Sequence, residues 1–109
     1  GNLIAYNAVR YINEHYSDDI TLSELACLSG VSPQYFDRIF RERLNMRPME
    51  YIARVKISKA KSMLLDSDIS VTQLSKSLGY TGPTYFGIVF KKYEGISPSE
   101  FRKNGGSVI

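Results

Sequence analysis

The chain has 109 residues, about one domain's length, and 43% of them are hydrophobic, enough for an ordinary globular core. Its single cysteine, Cys27, excludes an internal disulfide framework and any cysteine-based zinc site, and no apolar run reaches the roughly 18 residues that a membrane span needs. A net charge of +3 permits a polyanionic partner without requiring one.

Nothing at the N-terminus reads as a signal peptide, so a soluble, cytoplasmic protein without membrane contact is expected. Gly1 stands close to a helical pattern, which reads as the start of a fragment of something longer. The first predicted helix covers 2-16, where Leu3, Ile4, Ala8, Tyr11 and Ile12 recur at three- and four-residue intervals. His15 ends it, where a cation suits the helix dipole. With no Cys or His nearby it is a capping or surface residue before it is a metal ligand. Asp18 and Asp19 follow, and this acidic end is expected to face away from a polyanion.

Thr21, with Glu24 three residues on, marks the start of a helix over 22-29, and Cys27 within it is read as a small core residue. Ser32 and Pro33 open the next helix, 33-44. A long helix follows over 48-65, then 71-78 after Ser70 with Gln73, then 83-93, then 98-103 after Ser97 with Glu100. Gly105-Gly106 is read as a tail. No two-residue alternation is sustained, so the fold class is all-α with about seven helices.

The stretch GVSPQYFDRIFRERL from Gly30 to Leu44 is nearly repeated as GYTGPTYFGIVFKKY from Gly79 to Tyr93, with one residue inserted in the second turn. Leu25 matches Leu74, Tyr35-Phe36 match Tyr85-Phe86, Phe40 matches Phe90, and Pro48, Glu50 and Tyr51 match Pro98, Glu100 and Phe101. Each copy is a short helix, a glycine-containing turn and a second helix, the pattern of a helix-turn-helix. Ala26 and its counterpart Ser75 are small where the first helix crosses the second, while Phe36, Ile39, Phe86 and Val89 pack beneath. A first helix-turn-helix subdomain over 1-46, a linker helix over 47-66 and a second subdomain over 67-109 are expected. A solenoid needs three or more repeats, so two copies suggest a paired device.

Positive charge gathers between Phe36 and Leu65, where Arg38, Arg41, Arg43, Arg47, Arg54, Lys56, Lys59 and Lys61 stand against Asp37, Glu42 and Glu50. With Phe36, Ile39 and Phe40 inward, the second helix of the first copy turns Gln34, Asp37, Arg38 and Arg41 outward. Those side chains suit base edges: Gln34 an adenine, Arg38 a guanine, Asp37 a cytosine amine. The alternative is exposed pairing of Asp37 with Arg41 and of Arg38 with Glu42. Walker and Rossmann glycine loops and an ordered catalytic triad are absent, so no catalytic site and no cofactor are expected.

The run GYTGPTYFGIVFKKYEGISPSEFRK closely resembles the C-terminal signature of the AraC/XylS family of transcription regulators, and EYIARVKISKAKSMLLDSDISVTQLSKSLGY resembles that family's linker helix entering a second unit. The resemblance covers nearly the whole chain. It implies sequence-specific binding of double-stranded DNA by a domain attached to a separate effector or dimerisation domain preceding residue 1. It also favours activation through contact with RNA polymerase. By family alignment, Gln34, Asp37 and Arg38 fall at base-contacting positions. The second copy departs from the pattern: its matching positions hold Pro83, Thr84, Gly87 and Ile88, where relatives commonly carry a small polar residue and an arginine at the last two. Thr84 and Ile88 are left to touch a thymine methyl, so specificity is expected to be lopsided, with the first copy reading bases and the second mainly anchoring or reading shape.

Phosphate contacts are expected from Arg41, Arg47, Arg54, Lys56, Lys91 and Lys92, with Tyr85 half-buried and its hydroxyl at the backbone, and from amides at the capped starts after Thr21 and Ser70. Arg43, Lys59, Lys61, Arg102 and Lys103 are read as a solvated basic face. A linker of about 18 residues is about 27 Å long, against the ~34 Å between successive major-groove faces, so one chain can address two groove segments. A helical protein-protein interaction module is the competing reading. An enzyme would need a pocket of paired titratable groups, and a sequence reader of RNA would need aromatic platforms, whereas these aromatics are assigned to cores.

Overall fold

In the computed structural model, which describes residues 2–106, the chain forms α1 (Asn2–His15), α2 (Leu22–Ser29), α3 (Pro33–Leu44), α4 (Pro48–Asp66), α5 (Val71–Ser77), α6 (Pro83–Glu94) and α7 (Pro98–Lys103). No strand occurs among the described residues, as the all-α reading expects, and each helix ends within one residue of its predicted span. Two compact units divide the chain, one up to Val55 and the other from Lys56, so the boundary falls inside α4.

In the first unit α1 packs on α2 and α3, and α2 packs on α3. The core joins Ala8 and Ile12 of α1, Leu25 and Ala26 of α2, Phe36 and Phe40 of α3, and Ile52 and Val55 of α4, with Ile20 from the loop. Phe36 and Phe40 are fully buried, each worth about 1.5–3 kcal/mol over an exposed ring. The α2–α3 turn is closed by Gly30 at φ 70, a left-handed conformation that favours glycine. There Val31 N–H donates to the Ala26 carbonyl at 3.1 Å. Ser32 then caps α3, its hydroxyl accepting from Tyr35 N–H at 3.2 Å.

The second unit repeats this packing with its own residues. Ile57, Ala60 and Leu64 of α4, Leu74 and Leu78 around α5, Phe86 and Phe90 of α6 and Phe101 of α7 are buried. Ring centroids of Phe36–Phe40 and Phe40–Tyr51 lie 5.8 Å apart, and those of Phe86–Phe90 and Phe90–Phe101 lie 5.8 and 5.5 Å apart. α3 and α6 end alike, on left-handed Asn45 and Gly95, whose N–H groups donate to Arg41 and Lys91 carbonyls at 2.9 and 2.8 Å. Ser75, the counterpart of Ala26, is fully buried, and its hydroxyl donates to the Thr72 carbonyl at 2.8 Å, which offsets the desolvation cost. Thr81 is the extra residue of the second turn: Tyr80 N–H makes the matching bond to the Ser75 carbonyl at 3.0 Å, and the chain takes one more step before α6.

Several expectations are corrected. Cys27 is exposed, because Leu25 and Ala26 take the inward arc of α2 and the next residue turns about 100° away. Gly105-Gly106 is no tail: both have positive φ, Gly106 N–H donates to the Phe101 carbonyl at 2.9 Å, and a Cβ on Gly106 would stand 3.2 Å from Leu65 Cδ1. Arg102 is not part of a solvated face. Its Nε donates to the Leu64 carbonyl at 3.0 Å and its Nη2 to the Ser67 carbonyl at 3.3 Å, satisfying acceptors at the end of α4. Lys61 is likewise engaged, at 3.2 Å from the largely covered Glu94 carboxylate.

Thr21, Ser70 and Ser97 each accept the backbone bond from three residues on, and Ser97 with Glu100 completes the reciprocal box. Glu24 instead accepts from the Tyr11 hydroxyl at 2.5 Å. That bond, followed by partial burial and the Glu24 and Asp18 charges, raises the Tyr11 pKa. His15 sits where the dipole argument places it, stacked on Tyr11 at 4.3 Å and 3.2 Å from Asp18 Oδ2. No helix of the described residues is long and apolar enough to cross a membrane, and no cluster of metal-ligating side chains occurs among them.

Candidate nucleic-acid interface

α3 is held on one side by its buried phenylalanines and at its start by Ser32, which fixes the direction of every side chain on its other side. Gln34 and Arg38, one turn apart, are exposed there. The Arg38 guanidinium lies 5.1 Å above the Tyr35 ring and its Nε is 3.8 Å from Glu42 Oε1, with 61% of the side chain open to solvent. An exposed i,i+4 pair of this kind is worth only a few tenths of a kcal/mol, ~0.3–0.5, so the guanidinium is readily redirected to a better acceptor. The Tyr35 ring beneath this guanidinium is a contact that the sequence reading passed over. An aromatic three positions before an arginine on one helix was the available signal.

Asp37 points outward less than the helical period suggests. Its side chain is only 17% exposed, and Arg41 Nε at 2.9 Å and Arg47 Nη1 at 3.5 Å both lie against Oδ2. The anticipated pairs of Asp37 with Arg41 and Arg38 with Glu42 both form, and Arg47 is a third member drawn in from the turn after α3. Arg54 on α4 pairs with Glu50 at 2.9 Å.

α6 offers a different surface. Gly82 precedes it with no side-chain cap, Thr84 is exposed, and Ile88 one turn later is 63% exposed although apolar. Gly87 lies between them, and a Cβ added to it would meet nothing within 4 Å. Tyr85 is 60% exposed, which corrects the half-buried reading: the inserted turn places Tyr80 beneath it, ring to ring at 6.0 Å, and Tyr80 rather than Tyr85 leans on Phe86 at 5.4 Å. Burial, with Tyr85 and Tyr93 adding, pushes the Tyr80 hydroxyl up to about 12. Lys56 Nζ lies 4.9 Å over the Tyr80 ring, and Lys91 and Lys92 are exposed in the last turn of α6. The named anchors thus fall into the two units by chain position, Arg41, Arg47 and Arg54 in the first and Lys56, Tyr85, Lys91 and Lys92 in the second.

Residues 25–104 match a family model described as a helix-turn-helix domain. This chain belongs to the AraC family of transcription regulators. Over 100 residues it is 34% identical to YisR of Bacillus subtilis strain 168, an uncharacterized HTH-type transcriptional regulator, with 92% of this chain and 35% of that protein covered. The C-terminal domain of AraT, a response regulator from Geobacillus stearothermophilus, aligns with a TM-score of 0.90 at 30% identity, over 93% of this chain and 84% of that one. The DNA-binding domain of AdpA, a global transcriptional factor solved in complex with a target DNA, aligns with a TM-score of 0.87 at 25% identity, over 92% of this chain and 90% of that one. As an AraC-type helix-turn-helix domain, the chain is a DNA-binding module and not an enzyme. It spans about a third of YisR, 35%.

Proposed function

We propose that the chain is the sequence reader of a cytoplasmic bacterial activator, binding double-stranded DNA with α3 and α6 in successive major-groove segments. Residues 1-46 form the first helix-turn-helix subdomain, 47-66 the linker helix and 67-109 the second. In this reading Gln34 takes an adenine and Arg38 a guanine, each good pair giving about 1–3 kcal/mol of discrimination. Asp37 accepts from a cytosine amine once Arg41 and Arg47 turn to phosphates, while Thr84 and Ile88 face bases in the second segment. Arg54, Lys56, Tyr85, Lys91 and Lys92 hold the backbone. The parent regulator adds an effector or dimerisation domain and contacts RNA polymerase.

The observation that carries the reading is the pairing of exposed Gln34 and Arg38 one turn apart on a helix whose opposite side is locked in a phenylalanine core. A structure solved on its target DNA and similar across 92% of this chain supports it. The test is selection of sites from a random duplex library, then titration of the winner with wild type, Gln34→Ala and Arg38→Ala. One sharply read half-site, a more permissive half about 10 base pairs away, and an affinity loss of about 5- to 150-fold in either variant are expected. A library that enriches nothing overturns the reading in favour of a protein-binding helical module. Activation is read out separately, as site-dependent stimulation of transcription by purified polymerase with the whole regulator. Repression at the same promoter overturns that part.

A further inference from the structure

Gly87 stands in the middle of α6, with ordinary helical backbone, since its φ is not among the positive ones. Glycine inside an exposed helix costs about 1 kcal/mol relative to alanine. Packing against the rest of the fold does not ask for that cost, because a Cβ at Gly87 would meet no atom within 4 Å beyond its chain neighbours and its own helix backbone. The missing side chain leaves bare backbone between Thr84 and Ile88, two exposed side chains that share one side of α6. Ile88 keeps 63% of its surface in water although its neighbours Phe86 and Phe90 are fully buried. Within Pro83–Phe90 no side chain offers paired donors and acceptors to a base edge, and the last turn of the helix carries exposed Lys91 and Lys92, whose charge suits a polyanion, while its terminal Glu94 is taken up by Lys61.

Resting on the reading of α6 as a groove-entering helix, we propose that α6 is a methyl reader: Ile88, with the Thr84 methyl, recognises the 5-methyl groups of pyrimidines in the major groove, and Gly87 lets the helix approach closely enough to do so. The ligand class is thymine, and 5-methylcytosine equally, since both carry the same methyl at the same groove position. The second half-site is therefore specific in a chemistry that polar contacts do not report.

The test uses the 109-residue chain and its selected duplex. Each thymine of the half-site opposite α6 is replaced in turn by deoxyuridine, which removes the methyl and leaves pairing unchanged. At one or two positions affinity falls about fourfold, the worth of one buried CH₂ group. Ile88→Ala lowers affinity for the thymine duplex and abolishes the thymine–deoxyuridine difference. At those positions a 5-methylcytosine·guanine pair outbinds cytosine·guanine by a similar factor. Gly87→Ala raises the melting temperature and weakens binding to the thymine duplex. Deoxyuridine tolerated at every position, with tight binding otherwise intact, sinks the methyl proposal and leaves the DNA-reading function standing. The same holds if Ile88→Ala keeps the methyl effect or Gly87→Ala binds as wild type. Failure to bind any duplex removes both.

Discussion

Single side chains far apart in sequence fix parts of this molecule that periodicity does not reach. Arg102 donates to the Leu64 and Ser67 carbonyls, so its removal strands acceptors at the end of α4. Arg102→Met keeps the stem and loses both charged donors, and urea unfolding of the second unit is expected to show a loss of about 1.5–3 kcal/mol. Tyr80 makes a pH-dependent contribution. The folded state holds its phenolic proton more tightly than the unfolded chain does, so its contribution is intact below pH 10 and is lost as pH rises from 10 to about 12. Melting temperatures of wild type and Tyr80→Phe should converge to a constant difference below pH 10. Above it the wild type falls faster, by an amount blunted because the ring is only half covered.

At the scale of elements, helix starts were legible because their chemistry is local. A hydroxyl three residues before its amide partner needs no tertiary knowledge, and Thr21, Ser70 and Ser97 cap as their spacing predicts, while Ser32 caps the helix that Pro33 marks. Ser32→Ala leaves the first turn of α3 open and is expected to cost about 1 kcal/mol in a thermal or chemical melt. Gly82→Ala, at a start with no side-chain cap to lose, should cost less. What escaped the sequence were contacts spanning many residues: the Tyr11–Glu24 bond across 13 positions, Arg102 on Leu64 across 38, and Gly106 closing against Leu65. The interface divides the same way. The outward placement of Gln34 and Arg38 follows from helical period, whereas Asp37 also pairs with Arg47, which lies beyond the end of α3, and the exposure of Tyr85 depends on a ring brought in by the inserted turn.

Taken whole, the chain carries its cations in both units, and its hold on a duplex must weaken with salt. Six engaged phosphates give a slope of about −5 in log K against log salt, and replacing Lys91 and Lys92 together by glutamine should reduce its magnitude by about 2. A slope unmoved by the double change would place those lysines away from the backbone. The carboxylates among the cations act on another quantity. Asp37 pairs with Arg41 and Arg47, and Glu50 with Arg54, so in the proposed reading these three guanidiniums exchange a carboxylate for a phosphate on binding. A random sequence repays that exchange poorly, whereas a matched site adds its base contacts. On the proposed assignment of these arginines to phosphates, the acidic partners would act as a release mechanism that shortens each stay on wrong DNA. Asp37→Asn should lengthen dwell times on random duplexes in single-molecule records more than it lengthens them on the selected site.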